Sequence, residues 1–132
     1  VEIYHKAIKN SQFTCPLDED TMLPMMFMPD AVRATIELMQ AHRNNLTVTT
    51  SYNLAGMSFT PEEIAESIRA YVPDFQIAYK PDFRQKIALS WPNSIDDSAA
   101  QKDWKWKVAY NLKRMTDEMI CHISEQLLVK SA

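Results

Sequence analysis

Glycine occurs once in this chain of 132 residues, at Gly56, where average usage is about 7%. That count constrains the fold before any pattern is read. Loops that cradle nucleotide phosphates need glycines at fixed spacing, because the backbone must approach where a Cβ would otherwise stand. One glycine supports neither G-x-G-x-x-G nor a Walker loop. The expectation is a module without a dinucleotide or nucleoside triphosphate loop of its own.

The length suits one domain able to bury its own core. Apolar residues at 46% and charged residues at 23% argue against disorder. A net charge of −3 leaves no basic surplus, which speaks against nucleic acid as a partner. No apolar run approaches the roughly 20 residues needed to span a bilayer, and no secretory leader is visible. The chain opens with Val1, which reads as a processed or truncated end. Cys15 and Cys121 are far apart and read as reduced, inert thiols in an intracellular protein.

Along the chain the order is mixed α and β, without repeats. Glu2 to Lys9 reads as a helix burying Ile3, Tyr4, Ala7 and Ile8, and "QFTCPL" as a short strand. A helix opened by Asp30 carries Val32, Ile36, Leu38 and Met39 at helical spacing. "LTVTTSYNL" alternates and is rich in Thr, Val and Tyr, so a strand is expected from Leu46 to Leu54. The sharpest local signal is "TPEEIAESIRAYVP": Thr60 as N-cap, Pro61 at N1 and Glu63 closing a capping box. Its buried face is Ile64, Ala65, Ile68 and Tyr71 or Val72. "FQIAYKP" is a second strand and "SIDDSAAQKDWKW" a short helix. The last helix places Leu112, Met115, Met119, Ile120 and Ile123 inside.

Few residues carry chemistry. His5, His42 and His122 have no ligand at metal spacing and read as surface or satisfied histidines. The cluster Met22, Met25, Met26 and Met28 reads as core filler or pocket lining. Asp96 and Asp97 are neighbours, point about 100° apart on a helix, and cannot face each other as an acid/base pair. One of them is expected to cap the helix. The residues four after each tyrosine are Ile8, Gly56, Phe75, Phe83 and Arg114, so no Y-x-x-x-K pair exists. From the residues alone the reading ends at a soluble α/β module without a catalytic engine.

A resemblance extends it. "PMMFMPDA", "MSFTPEEIA", "KPDFRQ" and "SWPNSIDDS" closely resemble the C-terminal part of NAD-dependent L-threonine 3-dehydrogenases, the extended short-chain dehydrogenases related to UDP-galactose 4-epimerase. The resemblance runs from about Tyr4 to Ile123. It implies an α/β fold: the last strands and helices of a Rossmann fold interleaved, over residues 1–132, with a small substrate-binding lobe. The family's cofactor-binding half, with its glycine loop and its Tyr and Lys, is not in this sequence. The chain alone is therefore expected to bind no NAD and to be inactive.

The same resemblance implies site residues. Trp91 would face the L-threonine pocket, with Trp104 and Trp106 packing the lobe and Asp96 and Asp97 starting its helix. Phe27, Met28 and Pro29 match the strand-to-helix corner beside the crevice, Phe27 and Met28 toward substrate and Pro29 toward the cofactor, with Asp30 capping the next helix. Arg84 matches a position near substrate phosphates in related epimerases. Threonine has none, so Arg84 is expected in an ion pair of the lobe or as a carboxylate or cofactor-side contact. This sequence departs from the family pattern at Leu89 (usually aspartate), at Lys105 (usually glycine) and at Val108. No metal is implied. The intact enzyme would bind NAD and L-threonine, could be a homodimer, and would work in the cytoplasm or mitochondrion. The alternative is a truncated, non-catalytic module that docks on another protein.

Overall fold

The computed structural model describes residues 1–131. Its first helix, α1 (Glu2–Asn10), buries Ile3, Tyr4 and Ala7. Strand β1 (Gln12–Cys15) follows, and then β2 (Leu23–Met25). Helix α2 spans Met28–Gln40 and leads through a 3₁₀ turn at Arg43–Asn45 into β3 (Met57–Phe59). Then come α3 (Pro61–Arg69), β4 (Gln76–Tyr79), α4 (Phe83–Ala88), α5 (Ser98–Trp104) and α6 (Leu112–Ser131). No described helix is long and apolar enough to cross a membrane.

Two small sheets organise these elements. β1 and β4 pair in parallel, with Gln12 opposite Gln76 and Cys15 opposite Tyr79. The crossover between them contains α2 and α3, since parallel strands cannot be joined by a tight turn. β2 and β3 pair antiparallel, Leu23 opposite Phe59 and Met25 opposite Met57. Pro24 is tolerated inside β2 because a two-stranded sheet has only edges.

The main core lies between α1, α3 and α6, around Tyr4, Ala65, Ile68, Phe75, Met115 and Ile123. Leu112, Met119 and Ile120 are partly buried against it. Val72, not Tyr71, packs there; Tyr71 is exposed. Inside the core, Tyr4 Oη and Ser67 Oγ meet the fully buried Thr116 Oγ1 at 3.0 and 2.9 Å, so each hydroxyl has a partner. A second cluster sets Trp106 against Ala34 and Ala100.

The capping box forms as expected. Thr60 Oγ1 accepts from Glu63 N–H at 3.2 Å, and Glu63 Oε2 accepts from Thr60 N–H at 2.7 Å. Thr60→Ala should cost about 0.5–2 kcal/mol of stability. A thermal melt that does not move would show that the box contributes nothing.

Two expectations are corrected. Leu46 to Leu54 is not a strand. Asp103 on α5 takes the hydrogen bonds a sheet would have used: its Oδ2 accepts from Thr47 N–H (2.8 Å), Thr47 Oγ1 (2.7 Å) and Tyr52 Oη (2.5 Å). Val48 N–H donates to that same Tyr52 oxygen at 3.1 Å. These donors, Tyr52 first, hold the Asp103 carboxyl below the usual aspartate range. Nor does Asp30 cap α2. The helix starts at Met28 with Phe27 in the N-cap position. Asp30 is fully buried and reaches across to Ala109 and Tyr110.

At α5 the two aspartates divide the work. Asp97 sits in the N-cap position, but its carboxylate meets Ala55 N–H and the Gln101 side chain. Asp96 Oδ1 accepts the exposed Ser98 N–H at 2.9 Å, and that bond keeps its pKa low. Lys105 ends α5 at φ 65°, in the left-handed region. The family's glycine suits that geometry; lysine there costs about 1 kcal/mol.

Candidate functional site

An open, apolar pocket of about 230 Å³ forms where α4 lies over the β1–β2 loop and β2. Pro16 and Leu17 make one wall, Leu23 and Met25 the floor, and Ile87 and Ala88 of α4 the other wall. Trp91 and Arg84 complete it. The helix explains the grouping. Arg84, Ile87, Ala88 and Trp91 recur at helical spacing, so one face of α4 and its final turn looks into the pocket. Trp91 N–H donates to the Ala88 carbonyl at 3.0 Å, which holds the tryptophan in that turn. Trp91 is half exposed, unlike Trp106, which is 1% exposed.

Arg84 is the one cation of the lining. Its Nε and Nη2 bond the Asp82 carboxylate at 2.7–3.1 Å, and its backbone N–H donates to the same group. Asp82 is held below the ordinary aspartate range by that guanidinium, and Arg84 is raised in turn. The pair is exposed, so it orients the side chain more than it stabilises the fold. Arg84 thus stands in an exposed ion pair with Asp82, two residues before it.

The structure thus brings Trp91 and Arg84 together. Phe27, Met28 and Pro29 do not line this pocket. Phe27 packs on the main core and stands edge-on to Tyr110, ring centroids 4.9 Å apart. Met28 is exposed, and Met28 and Pro29 line a shallow groove along the outer face of α2 with Val32 and Ile36. Trp104 and Trp106 do pack the lobe: Trp104 stands edge-on to Tyr52 at 4.6 Å, and Arg33 lies 4.5 Å over the Trp106 ring. Sequence reasoning missed Leu17, Leu23, Ile87 and Ala88. Leu17 and Leu23 lie in stretches too short to show a period, whereas Ile87 and Ala88 share the helical spacing of Arg84 and Trp91, a signal that could have found them.

Other candidates have structural partners. His122 Nδ1 lies 2.9 Å from the Glu118 carbonyl, and His42 Nδ1 accepts from Asn44 N–H. Cys15 and Cys121 are free thiols; burial pushes Cys15 up, and the Glu125 carboxylate raises Cys121. Among the described residues no group of three or more His, Cys, Asp or Glu is placed to hold a metal. Tyr79 donates a short hydrogen bond to Glu62, which also pairs with Arg69 at 2.6 Å. Burial and Glu62 raise the tyrosine, and Tyr79 and Arg69 lower the glutamate.

No family model matches the chain. Individual proteins do. The mitochondrial L-threonine 3-dehydrogenase of Bos taurus is 47% identical over 121 residues, which are 91% of this chain and 32% of that protein. The GalE-like L-threonine dehydrogenase of Cupriavidus necator, in its apo form, superposes with a TM-score of 0.90 at 56% identity. That match covers 93% of this chain and 44% of the other. The chain is similar over nine-tenths of its length to part of the GalE-like L-threonine dehydrogenases. It corresponds to the C-terminal part of these proteins and has part of the extended short-chain dehydrogenase fold. The L-threonine dehydrogenase of Phytophthora infestans superposes at a TM-score of 0.92 with 47% identity, over 96% of this chain and 41% of that one. The chain spans about a third of the length of the curated relative it matches.

Proposed function

We propose that this chain supplies the substrate side of an L-threonine 3-dehydrogenase. The whole enzyme would oxidise the 3-hydroxyl of L-threonine to 2-amino-3-oxobutanoate, with NAD as hydride acceptor. The observation that carries this reading is the pocket under α4. Its apolar walls suit a methyl group, and its one cation, Arg84, would reach a carboxylate only by sharing the guanidinium that now pairs with Asp82. Trp91 would pack on the substrate and keep water from the reacting carbon.

The residues here do not make a dinucleotide site. Pro29 has no N–H, and the Asp30 and Ala31 amides of the first turn of α2 are bonded to the Phe27 carbonyl at 3.0 and 3.2 Å. A buried carboxylate, Asp30, sits in that turn. Gly56 is closed off, since a Cβ there would meet the Met25 carbonyl oxygen at 2.4 Å. Pro29 offers a cofactor an apolar wall and no N–H donor. The general base is likewise assigned to residues outside this chain. The purified chain with L-threonine and NAD should form no NADH above a heat-killed control; sustained turnover would defeat this division of labour.

The decisive test places this segment in an intact related dehydrogenase and changes Trp91 to Ala. kcat/KM for L-threonine should fall about tenfold or more, equivalent to about 1.4 kcal/mol. The Tm should barely move, because Trp91 is half exposed. Normal kinetics with a collapsed Tm would make Trp91 a packing residue.

A second reading, a non-catalytic docking module, draws on one observation. Met28, Val32, Ile36 and Met39 line the outer face of α2 and are exposed. Concentration-dependent self-association abolished by Val32→Glu and Ile36→Glu, together with normal kinetics of the Trp91→Ala chimera, would favour it.

A further inference from the structure

We infer that Gln85 is a positioning residue, a side-chain bridge between the two walls of the α4 pocket that sets its width. The inference rests on the reading of that pocket as the substrate side of the enzyme. α4 is six residues long and buries little of itself. Phe83, Ile87, Leu89 and Trp91 are all exposed, and Ala88 is its one buried residue. Such a helix has little apolar area to hold it against the protein. Its start is pinned by backbone bonds, Lys80 N–H to the Cys15 carbonyl at 2.8 Å and Asp82 N–H to the Pro16 carbonyl at 3.2 Å. A helix pinned only at its start is free to pivot there.

Gln85 supplies the second anchor. It lies on the inward side of α4, three residues before the buried Ala88. Gln85 Oε1 accepts from Asp18 N–H at 3.0 Å and lies 3.2 Å from Thr21 Oγ1. Gln85 Nε2 donates to that hydroxyl at 2.9 Å. Thr21 is 5% exposed, so its contacts with Gln85 are partly shielded from water, while the Asp18 bond is exposed. Asp18 and Thr21 belong to the loop whose Pro16 and Leu17 form the opposite pocket wall. That loop is itself held from the far side, where Glu62 N–H donates to the Glu19 carbonyl at 3.1 Å. One amide therefore joins a fixed wall to a lightly held one. Arg84 precedes it and Trp91 follows within two turns, so the angle of α4 decides where both stand.

The test uses the chain labelled with 5-fluorotryptophan and read by ¹⁹F NMR. Trp91, Trp104 and Trp106 give one resonance each, and Trp91→Phe identifies its own. In Gln85→Leu the Trp91 resonance should shift and broaden while those of Trp104 and Trp106 stay. Gln85→Glu keeps the acceptor for Asp18 and Thr21 and should restore the original position. Thr21→Val removes the Thr21 contacts and leaves the Asp18 bond, so it should move the Trp91 resonance in the same direction as Leu by a smaller step, which covers the case that Gln85→Leu fails to fold. An unmoved Trp91 resonance in both Gln85→Leu and Thr21→Val overturns the bridge. In the chimeric dehydrogenase, Gln85→Leu should raise KM for L-threonine about tenfold with kcat within about threefold, and Gln85→Glu should rescue it. A moved Trp91 with kcat/KM unchanged in both Gln85→Leu and Trp91→Ala keeps the bridge and sinks the substrate reading. Equal losses in kcat and Tm would instead make Gln85 an ordinary stabilising residue and overturn the inference.

Discussion

Asp30→Ala is expected to lower stability by about 1–3 kcal/mol, the range for leaving hydrogen-bond donors without their buried acceptor. Asp30 is 0% exposed. Its carboxylate accepts from Ala109 N–H at 3.1 Å and from Tyr110 N–H at 2.9 Å, and Arg33 Nη2 donates to it at 2.7 Å. Arg33 also reaches the Lys107 carbonyl at 2.6 Å. One acidic side chain on α2 thus orders the irregular segment between α5 and α6. Alanine leaves the Ala109 and Tyr110 amides without their acceptor, and each must find water or move, while Arg33 keeps Glu37 at 2.6 Å. Asp30→Asn keeps one oxygen and should recover part of the loss. Denaturant melts of wild type, Asn and Ala variants should rank in that order. A loss in Asp30→Ala below about 1 kcal/mol, the size of an exposed ion pair, would show that the segment is held by something else.

Trp106→Ala should cost more, about 3–5 kcal/mol, through the cavity it opens. The ring is 1% exposed and packs on Ala34 and Ala100, two residues too small to collapse into its place. Arg33 lies over the ring face, and the indole Nε1 donates to the Ala55 carbonyl at 3.4 Å. The Tm should fall by roughly 10–20 °C. A fall under about 3 °C would mean that the second cluster is not a cooperative part of the fold. Arg33 touches both Trp106 and Asp30, so the double variant should lose less than the sum of the two single losses.

Elements whose signals are local were legible in the sequence. Thr60, Pro61 and Glu63 meet within one turn, so the capping box is visible in a four-residue window and forms as read. β1, β4, α5 and α6 likewise lie where their patterns put them. Short elements escaped for a plain reason. β2 and β3 have three residues each, too few to display a period, and α4 has six, so its helical spacing shows only when Trp91 beyond its end is counted. The expected strand from Leu46 to Leu54 failed differently. Its alternation was real, but the partner that claimed its donors was Asp103, some fifty residues away. Of the site residues named from resemblance, Trp91 and Arg84 meet in one pocket, while Phe27, Met28 and Pro29 lie outside its lining.

Glycine shows where the two kinds of knowledge part. By itself the sequence determined that this chain carries no glycine-rich phosphate loop, because composition is independent of folding. It could not say what the one glycine is for. Gly56 makes no left-handed turn; those fall to Ser11 at φ 52° and Lys105 at φ 65°. Gly56 lies against the backbone of Met25 and Met26, where an added Cβ would stand 2.4 Å from a carbonyl oxygen and 2.9 Å from a Cα. Asp30 reads as a helix cap in sequence and becomes the buried tie to Ala109 and Tyr110 only in the fold. Local geometry depends on neighbours in the chain. Close approach and buried charge depend on backbone segments that meet only after the chain has folded.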